Sequence, residues 1–89
     1  MKSIVTVVGK DRVGIIADVC TFLAGYNINI LDISQTVLQD YFTMMMLVDS
    51  SACSRPFAEI VSALRAHGEE CGLSIQIQRE DIFEAMHRV

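Results

Sequence analysis

The order of strand-like and helix-like segments is the feature that most limits the folds open to this chain. Residues 3–8 are dense in β-branched side chains, which suit a largely buried strand. Gly9 ends this run, and the carboxylate of Asp11 can accept hydrogen bonds from free backbone N–H groups as a helix N-cap. We therefore expect a helix from Asp11 to about Ala24, with Gly25 as its C-cap.

The rest of the chain contains two adjacent strands, a second helix and a last strand. Residues 28–38 predict a long second strand, and a tight turn joins it to a third strand over residues 41–48. Pro56 suits the first turn of a helix, where its missing N–H costs no hydrogen bond. In residues 73–78 apolar and polar side chains alternate, which is the period of a half-exposed strand.

The resulting order is strand, helix, strand, strand, helix, strand. It predicts an α+β fold of the ferredoxin-like βαββαβ type, in which a four-stranded antiparallel sheet carries two helices on one face. Apolar residues with helical spacing recur in residues 81–89, so we expect a short C-terminal helix there. No linker interrupts the pattern, and we expect a single domain over residues 1–89.

Charge and hydropathy disfavour two classes of function. Seven basic residues against eleven acidic ones give a net charge of −4, which repels a nucleic-acid backbone. The apolar run at residues 44–48 is far shorter than the roughly 20 residues that a membrane helix needs. The N-terminus has no charged-then-apolar signal segment, so we expect a cytoplasmic protein.

The sequence offers no recognisable catalytic or metal site. The three cysteines, Cys20, Cys53 and Cys71, are odd in number and lack CxxC spacing, which argues against disulfides and a zinc site. Cys20 and Cys71 fall on apolar helical stripes and are interpreted as small core residues, with a redox-sensing thiol as the alternative.

Histidine, methionine and carboxylate side chains lead to the same expectation. His67 and His87 have no recognisable catalytic neighbours, and we expect His67 to be solvated near the end of the second helix. Consecutive residues at 44–46 point to opposite faces of a strand, so these three methionines cannot converge on one copper ion. We therefore expect no catalytic residues, no metal and no cofactor.

The first helix carries more apolar surface than one small sheet can cover. The stripe expected to pack on the sheet comprises Val13, Ile16, Ala17, Cys20, Leu23 and Ala24. A second stripe lies roughly 100° around the helix from the first and comprises Ile15, Val19, Phe22 and Tyr26. Together with an apolar second strand at the sheet edge, this second stripe predicts a homodimer. The predicted interface comprises Ile15, Val19, Phe22, Tyr26 and Ile30.

Two short motifs resemble the ACT domain family: GKDRVG at residues 9–14 and GYNINI at residues 25–30. The tail EDIFEAMHR at residues 80–88 is similar to that of small stand-alone bacterial and archaeal ACT proteins of undefined role. The resemblance implies an amino-acid-binding regulatory module that pairs sheet edge to sheet edge and holds ligand at the junction. By that resemblance the ligand contacts are Asp11, Arg12, Val13, Gly14, Asn27 and Ile28.

The chemistry of these residues is compatible with an amino acid, although simpler roles stay open. Backbone N–H groups at a helix N-terminus can bind a carboxylate, and Asp11 can accept from an ammonium group. Alternatively, Asp11 only caps the helix, Gly14 only allows tight helix–sheet packing, and Asn27 only shapes a turn.

We expect a ligand-binding regulatory dimer that is not an enzyme. The alternatives are a protein interaction module without a ligand pocket and an ACT-type regulator of amino-acid metabolism, such as glycine cleavage.

Overall fold

Four strands and two helices follow one another in the predicted order in the computed structural model, which describes residues 2–10 and 13–82. In chain order the elements are β1 (Lys2–Lys10), α1 (Ile15–Gly25), β2 (Asn29–Leu38), β3 (Tyr41–Asp49), α2 (Phe57–Cys71) and β4 (Ser74–Arg79). A further helical turn begins at residues 80–82. The other tail residues that were expected to form this helix lie outside the described part of the chain.

The four strands form one antiparallel sheet in the order β2-β3-β1-β4. β1 lies between β3 and β4, so β2 and β4 are the two edges. Between Ile30 and Asp32 the register of β2 against β3 shifts, as at a β-bulge. This topology confirms the predicted ferredoxin-like fold.

The core lies between one face of the sheet and the two helices. Val5 and Val7 of β1 are paired with Met46 and Met44 of β3, and alternate residues of β4 continue the same buried face. Each helix buries residues at intervals of four, as expected for packing on a sheet. These residues are Ile15, Val19 and Leu23 in α1, and Ile60, Leu64 and Gly68 in α2.

Two expectations about α1 are wrong. The helix begins at Ile15 with Gly14 as its N-cap, so Asp11 is not the N-cap. The buried face comprises Ile15 and Val19, which had been expected to be spare, together with Leu23 of the stripe expected to face the sheet. The physical reason is side-chain size: this face carries large aliphatic groups, whereas the stripe expected to be buried includes Ala17 and Ala24. Larger apolar side chains remove more surface from water and therefore win the sheet-facing position.

Candidate functional site

The turn between β1 and α1 ends in a left-handed glycine. Gly14 has φ 89° and, as the N-cap of the helix that follows, offers no side chain to cap it. Its carbonyl accepts a hydrogen bond from the Asp18 N–H at 2.9 Å. The N–H groups of residues 15–17 come before Asp18 in the chain and have no partner within the helix, as at any helix N-terminus. The turn therefore presents backbone donors at a position that suits an anionic group.

The predicted ligand residues of this turn differ in how far they can be placed. Val13 is 98% exposed, while Asp11 and Arg12 lie outside the described residues. A Cβ at Gly14 would meet no atom within 4 Å among the described residues beyond its chain neighbours. The alternative role of Gly14 in tight helix–sheet packing is therefore wrong, and its positive φ is what requires glycine.

The second half of the predicted ligand set lies between α1 and β2. Asn27 is exposed and adopts a left-handed conformation with φ 59°, which confirms that it shapes the turn. Ile28 is buried, and its N–H donates to the Leu23 carbonyl at 3.1 Å. Contact between Ile28 and a ligand stays a prediction, and because the core holds its side chain, such a contact would involve the backbone.

The described residues of the two halves, Val13 and Gly14 in one and Asn27 and Ile28 in the other, lie at opposite ends of the sheet. Lys10, at the end of β1, is paired with Tyr41, which is paired in turn with Leu38 at the end of β2. At the other end, Asn29 is paired with Asp49. Between these ends β2 runs for ten residues, or about 30 Å of extended chain. A single amino acid cannot contact both halves within one chain.

A carboxylate stands at the Asn29 end of the sheet. The hydroxyl and the backbone N–H of Ser51 both donate to Asp49. These hydrogen bonds, led by the hydroxyl, hold the pKa of the Asp49 carboxyl below its usual value. A negative charge is therefore maintained beside the start of β2.

The predicted dimer interface is partly buried inside the chain itself. Ile15 and Val19 belong to the core, so they cannot form a free surface for a partner. Phe22, Tyr26 and Ile30 are half-buried and pack against the core from its margin. The expectation that α1 offers a spare apolar stripe is wrong for the first two residues, while pairing through the other three stays a prediction.

Exposed apolar side chains lie on the edge strand β2 rather than on α1. Ile33 and Val37 are paired with Met46 and Phe42 and so share their helix-facing side of the sheet, yet both remain exposed. Leu31 and Leu38 are exposed as well. The helices therefore leave the apolar side chains of β2 uncovered.

The side chains of Asp18 in α1 and of His67 and Cys71 in α2 lie close together between the two helices. Nε2 of His67 lies 2.9 Å from Oδ2 of Asp18, and Sγ of Cys71 lies 3.5 Å from the same oxygen. The Phe22 ring stacks on the His67 ring at a centroid distance of 4.3 Å. The expectation that His67 is solvated is therefore wrong: its side chain is 19% exposed.

The spacing of His67 and Cys71 was the available sequence signal for this group, since residues four apart share a helix face. Asp18 comes from the other helix and could not be paired with them by spacing. Cys71 was interpreted as a core residue; it does pack against the core, but its thiol also faces the carboxylate.

The surface also has two shallow depressions, which are lined by residues other than the predicted ligand contacts. One, of about 220 Å³, lies between α2 and β4 and includes Arg65 and Gln76. The other, of about 210 Å³, lies at the β-bulge and includes Asp32 and Met45.

Comparison with known families matches residues 3–78 to the ACT domain. The chain belongs to the ACT domain family. The resemblance predicted from the two motifs is thereby confirmed.

Similar proteins extend the match beyond the motifs. A UPF0237 protein of Bifidobacterium longum is 51% identical over 99% of this chain and 98% of its own length. The solved structure of an ACT domain protein from Streptococcus pneumoniae is 47% identical, with 98% of each chain covered and a TM-score of 0.83. A putative glycine cleavage system transcriptional repressor shares the fold with a TM-score of 0.72, at 24% identity over 86% of this chain and 44% of its own.

In the part of this ACT domain that the structure describes, no helix has the length and apolar character needed to cross a membrane.

Proposed function

We propose that this chain is a single, cytoplasmic ACT domain that regulates rather than catalyses, and that it binds an amino acid between two copies paired through β2. The observation that supports the proposal is that Gly14 and Asn27 lie at opposite ends of the sheet, whose edge strand β2 is exposed. Membership of the ACT family supplies the class of function.

Antiparallel pairing of two β2 edges would bring the separated halves together. A two-fold axis places the Asn29 end of one β2 opposite the Leu38 end of its partner. Because Leu38 lies at the same end of the sheet as Lys10, the turn that contains Gly14 would then approach the partner's Asn27. Each dimer would have two such composite sites.

The chemistry of a composite site suits a zwitterion. The uncapped N-terminus of α1 offers N–H donors and a partial positive charge to a carboxylate. Asp11, the Asn27 amide and the charged Asp49 provide acceptors for an ammonium group. Ile28 contributes no side chain, because it is buried.

The deciding experiment is a thermal-shift screen of the purified protein against the twenty amino acids, after sedimentation has established its oligomeric state. A ligand that binds only the folded state stabilises it by about 2.7 kcal/mol at one hundred times its dissociation constant. We expect one amino acid, or a small set, to raise the melting temperature at millimolar concentration. A response to glycine alone would favour a regulator of glycine metabolism over other amino-acid sensors.

Two variants with a matched control locate the site. Asn27→Gly keeps the left-handed backbone while removing the amide, and Asp11→Asn removes a charge. Glu70→Gln, at an exposed position on α2, which packs on β4 rather than on β2, is the control. We expect the first two variants to reduce the ligand-dependent shift and the control to retain it.

The second candidate is an interaction module whose output is binding to another protein, which the exposed apolar edge of β2 favours. No shift with any amino acid at millimolar concentration, in a protein that is folded and dimeric, would overturn ligand sensing in favour of this candidate.

A further inference from the structure

The side chains of Asp18, His67 and Cys71 converge between α1 and α2. Asp18 lies in the first turn of α1, one turn beyond Gly14, and the other two lie four residues apart on α2. Their ligand atoms form a triangle: Oδ2 to Nε2 is 2.9 Å, Oδ2 to Sγ is 3.5 Å, and Sγ to Nε2 is 3.8 Å. All three side chains are only partly buried, so the triangle is reachable from solvent.

This arrangement does not match a thiol activated by a histidine relay. In such a relay the carboxylate orients one ring nitrogen while the other nitrogen accepts the nucleophile's proton. Here the carboxylate oxygen and the sulfur both lie near Nε2. Three donor atoms that face one point instead have the arrangement of a chelating site.

The dimensions of the triangle fit a tetrahedral metal ion. Zinc bonds of about 2.3 Å to sulfur and about 2.0–2.2 Å to nitrogen and oxygen place ligand atoms roughly 3.3–3.6 Å apart. The separation of 3.5 Å lies within that range, and those of 2.9 Å and 3.8 Å lie outside it by a few tenths of an ångström, which small rotations of the side chains accommodate. The stacked Phe22 ring holds the imidazole of His67 in its present plane.

We propose that Asp18, His67 and Cys71 form a three-ligand site for Zn²⁺ or a similar late first-row divalent cation. A thiolate and an imidazole select such ions over Mg²⁺ and Ca²⁺, which require oxygen ligands. Asp18 and His67 are 37% and 19% exposed, so an ion can reach these ligands from solvent. Metal binding would clamp the first turn of α1 to the end of α2.

Metal titration of the reduced, chelator-stripped full-length protein tests the site. Co²⁺ serves as the spectroscopic probe, and a chromogenic chelator in competition gives the Zn²⁺ affinity. We expect one ion per chain, with the visible d–d bands of tetrahedral Co²⁺ and a thiolate charge-transfer band. Cys71→Ser and His67→Gln should each weaken Zn²⁺ binding by at least about tenfold, since even indirect disturbance of ligands costs 10–100-fold.

Controls separate this site from other metal ligands in the chain. Cys20→Ser removes a cysteine and His87→Gln removes a histidine that are not among the three proposed ligands. Both variants should bind Zn²⁺ as the wild type does. Circular dichroism of each metal-free variant verifies that it folds.

A second measurement uses only the wild-type protein and therefore does not depend on variants that fold. With saturating Zn²⁺, iodoacetamide should label Cys20 and Cys53 as before and Cys71 far more slowly, as read by peptide mass spectrometry. Equal labelling of Cys71 with and without Zn²⁺ would overturn the proposal. Loss of Zn²⁺ binding in His87→Gln, together with retained Zn²⁺ binding in His67→Gln, would also overturn the proposal. Neither result bears on amino-acid binding at the dimer junction.

Discussion

At the scale of single residues, Gly14 is where backbone geometry determines the start of a helix. Its φ of 89° lies in the left-handed region. Among the described residues beyond its chain neighbours, no atom lies within 4 Å of the position that a Cβ would take. The strain of any other residue there would come from the backbone alone.

Gly14→Ala should therefore lower the free energy of unfolding by about 1–2 kcal/mol, the cost of a left-handed conformation in a residue with a Cβ. Gly14→Asn should lose less, because asparagine tolerates this conformation. Urea denaturation of both variants measures the difference. An alanine variant as stable as the wild type would show that the turn can adopt another conformation.

Ser3 is a second residue whose local environment makes a direct prediction. It is fully buried in β1, and its hydroxyl has no hydrogen-bond partner among the described residues. A buried, unsatisfied hydroxyl costs about 1–3 kcal/mol, which removal of the oxygen recovers in part. We expect Ser3→Ala to raise the free energy of unfolding by up to about 1 kcal/mol. Ser74→Ala, at an exposed position in the same sheet, should leave it unchanged; a destabilised Ser3→Ala would indicate a missed partner.

At the scale of elements, Gly68 sets how closely α2 approaches β4. A Cβ there would lie 2.7 Å from the Leu73 carbonyl oxygen and 3.0 Å from Ile75. The Leu73 N–H also donates to the Gly68 carbonyl at 2.7 Å. The helix end and the strand start are therefore in direct backbone contact.

Gly68→Ala should destabilise the protein by about 1–3 kcal/mol, because the clash outweighs the better helix propensity of alanine. Gly25→Ala in α1 is the matched control, since a Cβ there meets no described atom within 4 Å. The control should be neutral or slightly stabilising. Thermal unfolding of the two variants compares them directly. Equal melting temperatures would mean that α2 can move away from β4 at little cost.

The elements were predictable to different degrees for physical reasons. A high density of β-branched and apolar side chains predicted the earlier strands, period-two alternation predicted the last one, and the order of the elements predicted the sheet, because such patterns report which side chains are buried. The buried face of α1 was not predictable in this way, since two stripes with similar spacing competed and only packing against the sheet selects one. The contact of Asp18 with His67 depends on how two helices lie side by side, which spacing along one chain does not encode.

At the scale of the whole molecule, ten residues of β2 form an edge whose apolar side chains the helices leave exposed. Leu38 alone is 73% exposed. The strand contains no proline or lysine that would discourage pairing with another strand. Phe22, one of the predicted interface residues, makes ring contacts with Tyr26 and His67 within the chain. The edge itself is therefore the better place to test assembly.

Ile33→Lys should dissociate the proposed dimer while leaving each chain folded, because Ile33 is exposed in the single chain and would become buried when two β2 edges pair. We expect the dissociation constant to rise at least about tenfold, or about 1.4 kcal/mol, as measured by sedimentation equilibrium. Val8→Lys is the matched control: Val8 has similar exposure but lies on the central strand β1. If Val8→Lys dissociates the dimer and Ile33→Lys does not, the chains pair through the open face of the sheet. A wild-type protein that is monomeric at micromolar concentration would remove the composite ligand site as well, since its two halves meet only across the β2 edge.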